Sequence, residues 1–271
     1  MASALQRLLV MFSLGWHFAL QRLKMDMAYP WDFISETLAN MLYSAIQLFF
    51  FWTIFLHVPD IRGYTMPEVV LIWGLAELSW GWLSVLFLNT ANNLADSYII
   101  EANLDRVLVR PLPALWQLLC ENVNFQDTTV LLKGYVLVIW AMANCGLPIN
   151  PGSIALFSLL GLCGGCVLGA LHLLSAAIAF WLKDRAGFNG LMFDFGEAVR
   201  YPMSIYPAAV RSFFTFVLPF AYTAAYPADY MLDSTRRPNL PLELATVLLV
   251  LALAVVLVYN QGFRRYESAG S

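Results

Sequence analysis

The chain has 271 residues; 60% are hydrophobic and only 12% charged, where a soluble domain carries about 25% charged residues. The net charge of -3 comes without any run of like charges, which argues against a nucleic-acid partner. Apolar stretches long enough to cross a bilayer recur along the chain, so its class is an all-α polytopic membrane protein.

Segment 8–20 is nearly all apolar but too short to span. Gln6, Arg7, Ser13, His17, Gln21 and Lys24 fall at helical spacing on one face around it, and no small-residue cleavage site follows. The pattern predicts an interfacial elbow helix over 1–30, its basic residues reaching lipid headgroups. An uncleaved signal anchor is the other reading. Six spans are predicted next, beginning with 34–58, whose outer half holds Phe49-Phe50-Phe51-Trp52. The second is 69–88, the third 128–147 and the fourth 154–182. The fifth, 188–201, is short and carries Asp194, Glu197 and Arg200. The sixth, 242–258, is almost purely Leu, Val and Ala.

Between the second and third spans lies a polar, amphipathic stretch, 91–113. At 3.6 residues per turn Ile100, Leu104, Val107 and Leu108 share one side of a helix. Asn103, Arg106 and Arg110 lie opposite, Glu101 and Asp105 flank the strip, and Pro111 and Pro113 end it. Periodicity allows a helix resting on the bilayer or one that docks on a soluble partner. Between the fifth and sixth spans, 201–241 holds Pro202, Pro207, Pro219, Pro227, Pro238 and Pro241 and the apolar run Phe213 to Leu218. Proline at this spacing breaks helices into short pieces, which predicts a re-entrant helical hairpin at the outer face. Two further half-spans are the alternative.

With the N-terminus inside, the inner segments hold Arg7, Arg22, Lys24, Arg106, Arg110, Lys133, Lys183, Arg185, Arg264 and Arg265. The outer ones hold Arg62, Arg200, Arg211, Arg236 and Arg237. This excess places both termini in the cytoplasm. Lys133, near the cytoplasmic end of its span, is expected to snorkel.

Ionisable residues inside spans are costly and often functional, which singles out Glu77, His172, Asp194 and Glu197. Asp194, Glu197 and Arg200 are spaced by three and share a helix face. They read as a polar stripe on a translocation path or dimer seam, or as a local Glu197–Arg200 pair that tolerates burial. A lone His172 reads first as a satisfied structural histidine. Gly161, Gly165 and Gly169 form a flat strip for close helix packing. Cys120, Cys145, Cys163 and Cys166 fit no secreted disulfide framework, and an apolar site disfavours the thiolate that redox work at Cys163-x-x-Cys166 needs. No Gly-x-x-x-x-Gly-Lys-Ser/Thr occurs, so the chain has no phosphate cradle of its own.

The stretch 104–112, with Arg62-Gly63-Tyr64-Thr65, Arg200-Tyr201-Pro202 and Val217-Leu218-Pro219, resembles the ABC type-2 (ABC-2) permease family, the membrane subunits of type V ATP-binding-cassette exporters. More narrowly it resembles a subgroup of paired permeases. In the family pattern a glycine precedes the Leu-Asp pair; Ala102 stands in that place here. The resemblance covers almost the whole chain as a single permease domain, 1–271, in a bacterial cytoplasmic (inner) membrane. It implies that 91–113 is a coupling helix engaging a separate ABC ATPase subunit through Asn103, Leu104, Asp105, Arg106, Val107, Leu108 and Arg110. It implies that Pro202, Pro207, Phe213, Phe216, Pro219 and Phe220 belong to an outer gate. It also implies a second permease, identical or paralogous, and no enzyme activity in this chain. No cofactor is expected in this chain; ATP and Mg would be bound by the partner ATPase. A secondary transporter is the main alternative, though its halves should resemble each other. An intramembrane enzyme is a further one, but His17, His57 and His172 are too scattered for zinc and Asp194 has no facing Asp.

Overall fold

The structure, a computed structural model, describes residues 30–182, 188–198 and 200–267. The elbow helix expected over 1–30 lies outside the described residues except for Pro30, and so do Lys183 and Arg185. Every regular element among the described residues is helical, and the Ile61–Tyr64 bridge only closes a tight turn. The helices are α1 (Pro30–Phe55), α2 (Met66–Ile100), α3 (Leu104–Leu108), α4 (Ala114–Glu121) and α5 (Thr128–Cys145). They continue with α6 (Pro151–Leu182), α7 (Phe188–Ala198), α8 (Ala208–Val217), α9 (Ala225–Leu232) and α10 (Leu240–Arg265).

Among the described residues five helices are long and apolar enough to cross a membrane: α1, α2, α5, α6 and α10. The expected fifth span is instead α7, whose 11 residues reach only about 16 Å, half of a ~30 Å hydrocarbon core. Pro202 bars a longer helix on its C-terminal side. The second span also differs from expectation. It does not stop at Leu88 but runs to Ile100, 35 residues and about 52 Å, well beyond the bilayer core. Asn89, Asn92, Asn93 and Asp96 are polar, but no Gly or Pro lies between Leu83 and Ile100 to end the helix. Wide π turns at Ser84–Leu88 and Leu94–Ile100 loosen it locally. In the first of them the Val85 carbonyl accepts a hydrogen bond from the Asn124 amide at 2.9 Å, fixing the entry to α5.

A tight turn starts α2. Arg62 (φ 55°) and Gly63 (φ 85°) both take the left-handed conformation of a type I′ turn, and the Gly63 amide donates to Asp60 at 2.8 Å. Thr65 then donates its amide and hydroxyl to Glu68 at 2.7 and 2.8 Å, tying down the first turn.

From there α2 is the centre of the body; residues 69–81 are all buried. Glycines let its neighbours close in. Gly74 and Gly81 of α2 meet Val138 and Leu131 of α5, while Gly134 of α5 meets Leu78. On the other side the expected strip of α6 packs on α2, with Gly161 on Leu78, Gly165 on Trp82 and Gly169 on Phe87. Leu78 is thus held between two glycines from two helices. A Cβ on Gly134 would stand 2.9 Å from the Leu78 amide nitrogen, so only glycine permits this approach. The four cysteines are free thiols.

Contacts fix the helix directions. Phe180 near the end of α6 packs on Tyr259 and Phe263 near the end of α10, and the Tyr259 hydroxyl donates to the Leu173 carbonyl at 3.2 Å. So α6 and α10 run parallel, and the chain between Leu182 and Leu240 must return from one end of the body to the other. It does so in pieces. The C-terminal ends of α2, α6 and α10 and the N-terminal ends of α1 and α5 point one way, called here the loop end, and their opposite ends point to the far end.

Gly164→Val should lower the melting temperature in detergent, at a cost of about 1–3 kcal/mol, because its Cβ would collide with both Ser79 and the Thr223 carbonyl. Gly190→Ala in α7, with open space around it, should leave melting unchanged. Equal melting of the two variants would contradict this packing.

Candidate functional site

Two constellations stand out. The first is a charge cluster inside the body. Glu77 of α2 is buried, and its carboxylate accepts from the Trp73 indole at 2.9 Å. Lys133 of α5 pairs with it at 2.7 Å, and Arg200, just past α7, approaches at 3.8 Å. Arg200 also binds Glu197 at 2.9 Å and donates to the Tyr43 hydroxyl of α1 at 3.1 Å, while Gln47 donates to the same hydroxyl at 2.8 Å. Two carboxylates and two cations therefore join α1, α2, α5 and the segment after α7. Lys133, expected to snorkel, turns to Glu77, and Arg200, counted among the outer residues, is buried beside the same carboxylate.

Of the other intramembrane candidates, Glu197 keeps half its side chain exposed and Asp194 is exposed. His172 is fully buried against the rings of Trp80 and Phe193, with centroids 6.0 and 5.0 Å away. Neither of its ring nitrogens has a hydrogen-bond partner among the described residues. The expected satisfied histidine thus packs edge-on against two aromatic rings and is not satisfied by a polar partner among the described residues. The structure brings Glu77 and Glu197 together through Arg200 and leaves His172 and Asp194 apart from them.

The second constellation is the loop at the end of α2. The helix ends at Ala102, a non-glycine residue at φ 58°, the left-handed conformation that favours glycine. Asn103 then donates to the Ser97 carbonyl at 2.9 Å and holds the reversal. Ile100 belongs to α2 and does not share a face with Leu104 as the periodicity implied. In α3, Leu104 and Val107 are fully buried against the chain itself, so they are not open to a partner. The face that looks outward carries Arg106, Leu108 and Val109, the last 82% exposed.

Residues that sequence reasoning missed bind this loop to α4. Gln117 donates to the carbonyls of Val107 and Leu112 at 3.2 and 3.0 Å. Glu121 pairs with Arg110 at 2.5 Å and with Arg106 at 3.5 Å. Asn122 donates to the Tyr98 hydroxyl at 2.8 Å and accepts from Asn93 at 3.1 Å, and Thr90 donates to the Leu118 carbonyl at 3.2 Å. The projecting end of α2, the loop and α4 thus form one bonded unit. Burial first, and then Glu121 beside it, push the Cys120 thiol up from its ordinary value.

A family model described as ABC-2 family transporter protein matches residues 41–270. The chain belongs to the ABC-2 transporter family. No curated protein and no solved structure matches it. It is therefore an integral membrane protein and a permease component of an ABC transporter.

In this ABC-2 chain the proline-rich stretch forms two short helices, α8 and α9. The link between them descends into the body, and residues 219–228 are all buried. Ser79 donates to the Thr223 carbonyl at 2.7 Å, and Gly164 leaves room for that carbonyl. Phe213, Phe214 and Phe220 gather on Phe195 of α7, whereas Phe216 points away, 81% exposed. Pro219 is buried in this stretch, and Pro202 and Pro207 stand before the short helical turns at Met203–Ile205 and Ala208. At the far end Tyr64 donates to Asp229 of α9 at 2.5 Å, and burial followed by that bond raises the phenol above its ordinary value.

Two outcomes test this geometry. Glu77→Ala should cost about 3–5 kcal/mol, because it takes the carboxylate from the buried Arg200 and the partly buried Lys133. Glu77→Ala with Lys133→Ala should recover part of the loss in detergent melting. Ala102→Gly should stabilise the loop by about 1 kcal/mol and slow hydrogen exchange of its amides.

Proposed function

We propose that this chain is the membrane half of an ATP-driven exporter and that it docks on a separate ATPase subunit through the loop at the end of α2. The observation that carries the reading is the bonded unit of α2, α3 and α4, held beyond the reach of a bilayer core with an outward face of Arg106, Leu108 and Val109. A push on that face reaches the interior through the continuous helix α2 and its bonds to α4, which is what a coupling element requires. The apolar contacts to the ATPase then come from Leu108 and Val109, with Arg106 and Asp105 supplying charge.

The loop end is the cytoplasmic end in this reading, because Arg106, Arg110, Arg264 and Arg265 collect there. Residue 30 and the C-terminal end of α10 then share the cytoplasmic side of a bacterial inner membrane. The broken return from α7 through α9 serves as the sixth crossing. Such backbone is tolerated at membrane depth only when buried in protein, and residues 219–228 are buried. The Phe195, Phe213, Phe214 and Phe220 cluster, packed beside the buried link between α8 and α9, is part of an outer gate in this reading. A second permease, identical or paralogous, completes the path, since one loop can engage one ATPase subunit. The chain itself performs no catalysis and holds no nucleotide; ATP and Mg belong to the ATPase partner.

Val109→Asp should abolish copurification of an ATP-hydrolysing subunit with the full chain from its native membranes. It should leave detergent melting intact, because Val109 touches water and not the core. If ATPase activity still copurifies at the wild-type level, the docking assignment fails.

A further inference from the structure

Beside the bonded unit, α6 and α10 leave a groove of about 410 Å³ between them. Both walls carry alanine, Ala170 on α6 and Ala252 on α10, and these small side chains leave the space. Phe87 of α2 lines it as well, and Leu115 and Leu119 of α4 contribute at the loop end. Its mouth lies at Ala252 and Val256, continuous with the exposed apolar face of Leu249, Leu253 and Leu257 on α10.

The walls decide what can enter. Cys166 is the most polar side chain among them, and an apolar cavity of this kind stays dry. A transmembrane helix about 10 Å across would fill 410 Å³ within roughly one turn, so the groove is too small to seat a partner's span. A single extended hydrocarbon chain is thin enough. It is also what surrounds α6 and α10, both of which are candidate membrane-crossing helices.

We propose that this groove binds one acyl chain of a membrane lipid, entered from the leaflet on the α4 side. The occupant would press on Leu115 and Leu119. Through Gln117, which holds the Val107 and Leu112 carbonyls, and Glu121, which holds Arg106 and Arg110, that pressure reaches the loop. The site therefore lets lipid composition act on the loop. Acyl-chain binding rests on membrane insertion of α6 and α10 and not on ATPase docking, so the two readings fail separately.

The test uses the full chain in vesicles of phosphatidylethanolamine and phosphatidylglycerol. They carry a trace of phosphatidylcholine with a diazirine midway along one acyl chain. After irradiation, adducts on 163–173 and 248–256 should exceed those on the exposed face of α5 at Leu132, Val136 and Ile139 several-fold. Ala252→Trp, at the exposed mouth, should remove most of the groove adducts and leave those on α5 as a sign of intact folding. Ala170→Leu is the second filling variant, read by the same ratio. Equal labelling of groove and α5 would mean surrounding lipid only and would overturn the proposal. So would a benzoylphenylalanine at Leu249 that cross-links to a second polypeptide while the groove takes no lipid.

Discussion

About two turns of α2, from Gly74 to Gly81, set the rest of the molecule. Helices in a membrane gain little from burying apolar surface against each other, since lipid is equally apolar, and must be held by close packing and polar ties. Both occur here within eight positions. Glycines on three helices bring α5 and α6 onto the α2 backbone around Leu78. Beside Leu78, Glu77 collects Trp73, Lys133 and Arg200. Two charges alone in such surroundings would be costly, but this carboxylate is met by an indole and two cations. Ser79, next along, fixes Thr223. Residues 77, 78 and 79 thus locate α5, α6, the segment after α7 and the descending link between α8 and α9.

The irregular return of the chain follows from that anchoring. Backbone outside a helix must find partners when it is buried. The stretch around Thr223 finds them in Ser79 and in its own short turns, such as the bond from the Thr223 amide to the Phe220 carbonyl at 3.0 Å. The parallel course of α6 and α10 is possible only because this broken segment carries the chain back. At the loop end the same logic recurs with side chains. Thr90, Gln117 and Asn122 take up carbonyls and hydroxyls that the ending of α2 and the start of α4 would otherwise leave open.

Much of this was legible in the sequence, for identifiable reasons. The Leu, Val and Ala run within α10 and the glycine strip of α6 declare themselves by composition and spacing. The family was visible in short motifs, two of which have a physical cause in the fold. Arg62-Gly63 forms a turn that needs positive φ, and Ala102 occupies a position where glycine would be relaxed. The course of α2 past Leu88 was not legible, because Asn and Asp read as loop although nothing among them breaks a helix. The partners of Glu77 were hidden because Lys133 and Arg200 lie far along the chain and were assigned to opposite membrane faces. Periodicity placed Leu104 and Val107 on one face of α3 but wrongly added Ile100 and Leu108 to it. It carries no information on which surface covers that face, and Leu104 and Val107 turned out to be covered from within.

The clamp at Leu78 divides α2 unequally. About 33 Å of helix separates it from Ile100, and about 18 Å from Met66. For a stiff rod held at that fulcrum, a sideways displacement at the loop arrives at the far end reversed in direction and reduced by nearly half. The element that receives it is the Arg62-Gly63 turn, whose Tyr64 is bonded to Asp229 of α9. Under the proposed docking of an ATPase on the loop, this geometry trades the amplitude of a large movement there for force on the buried bend near Thr223.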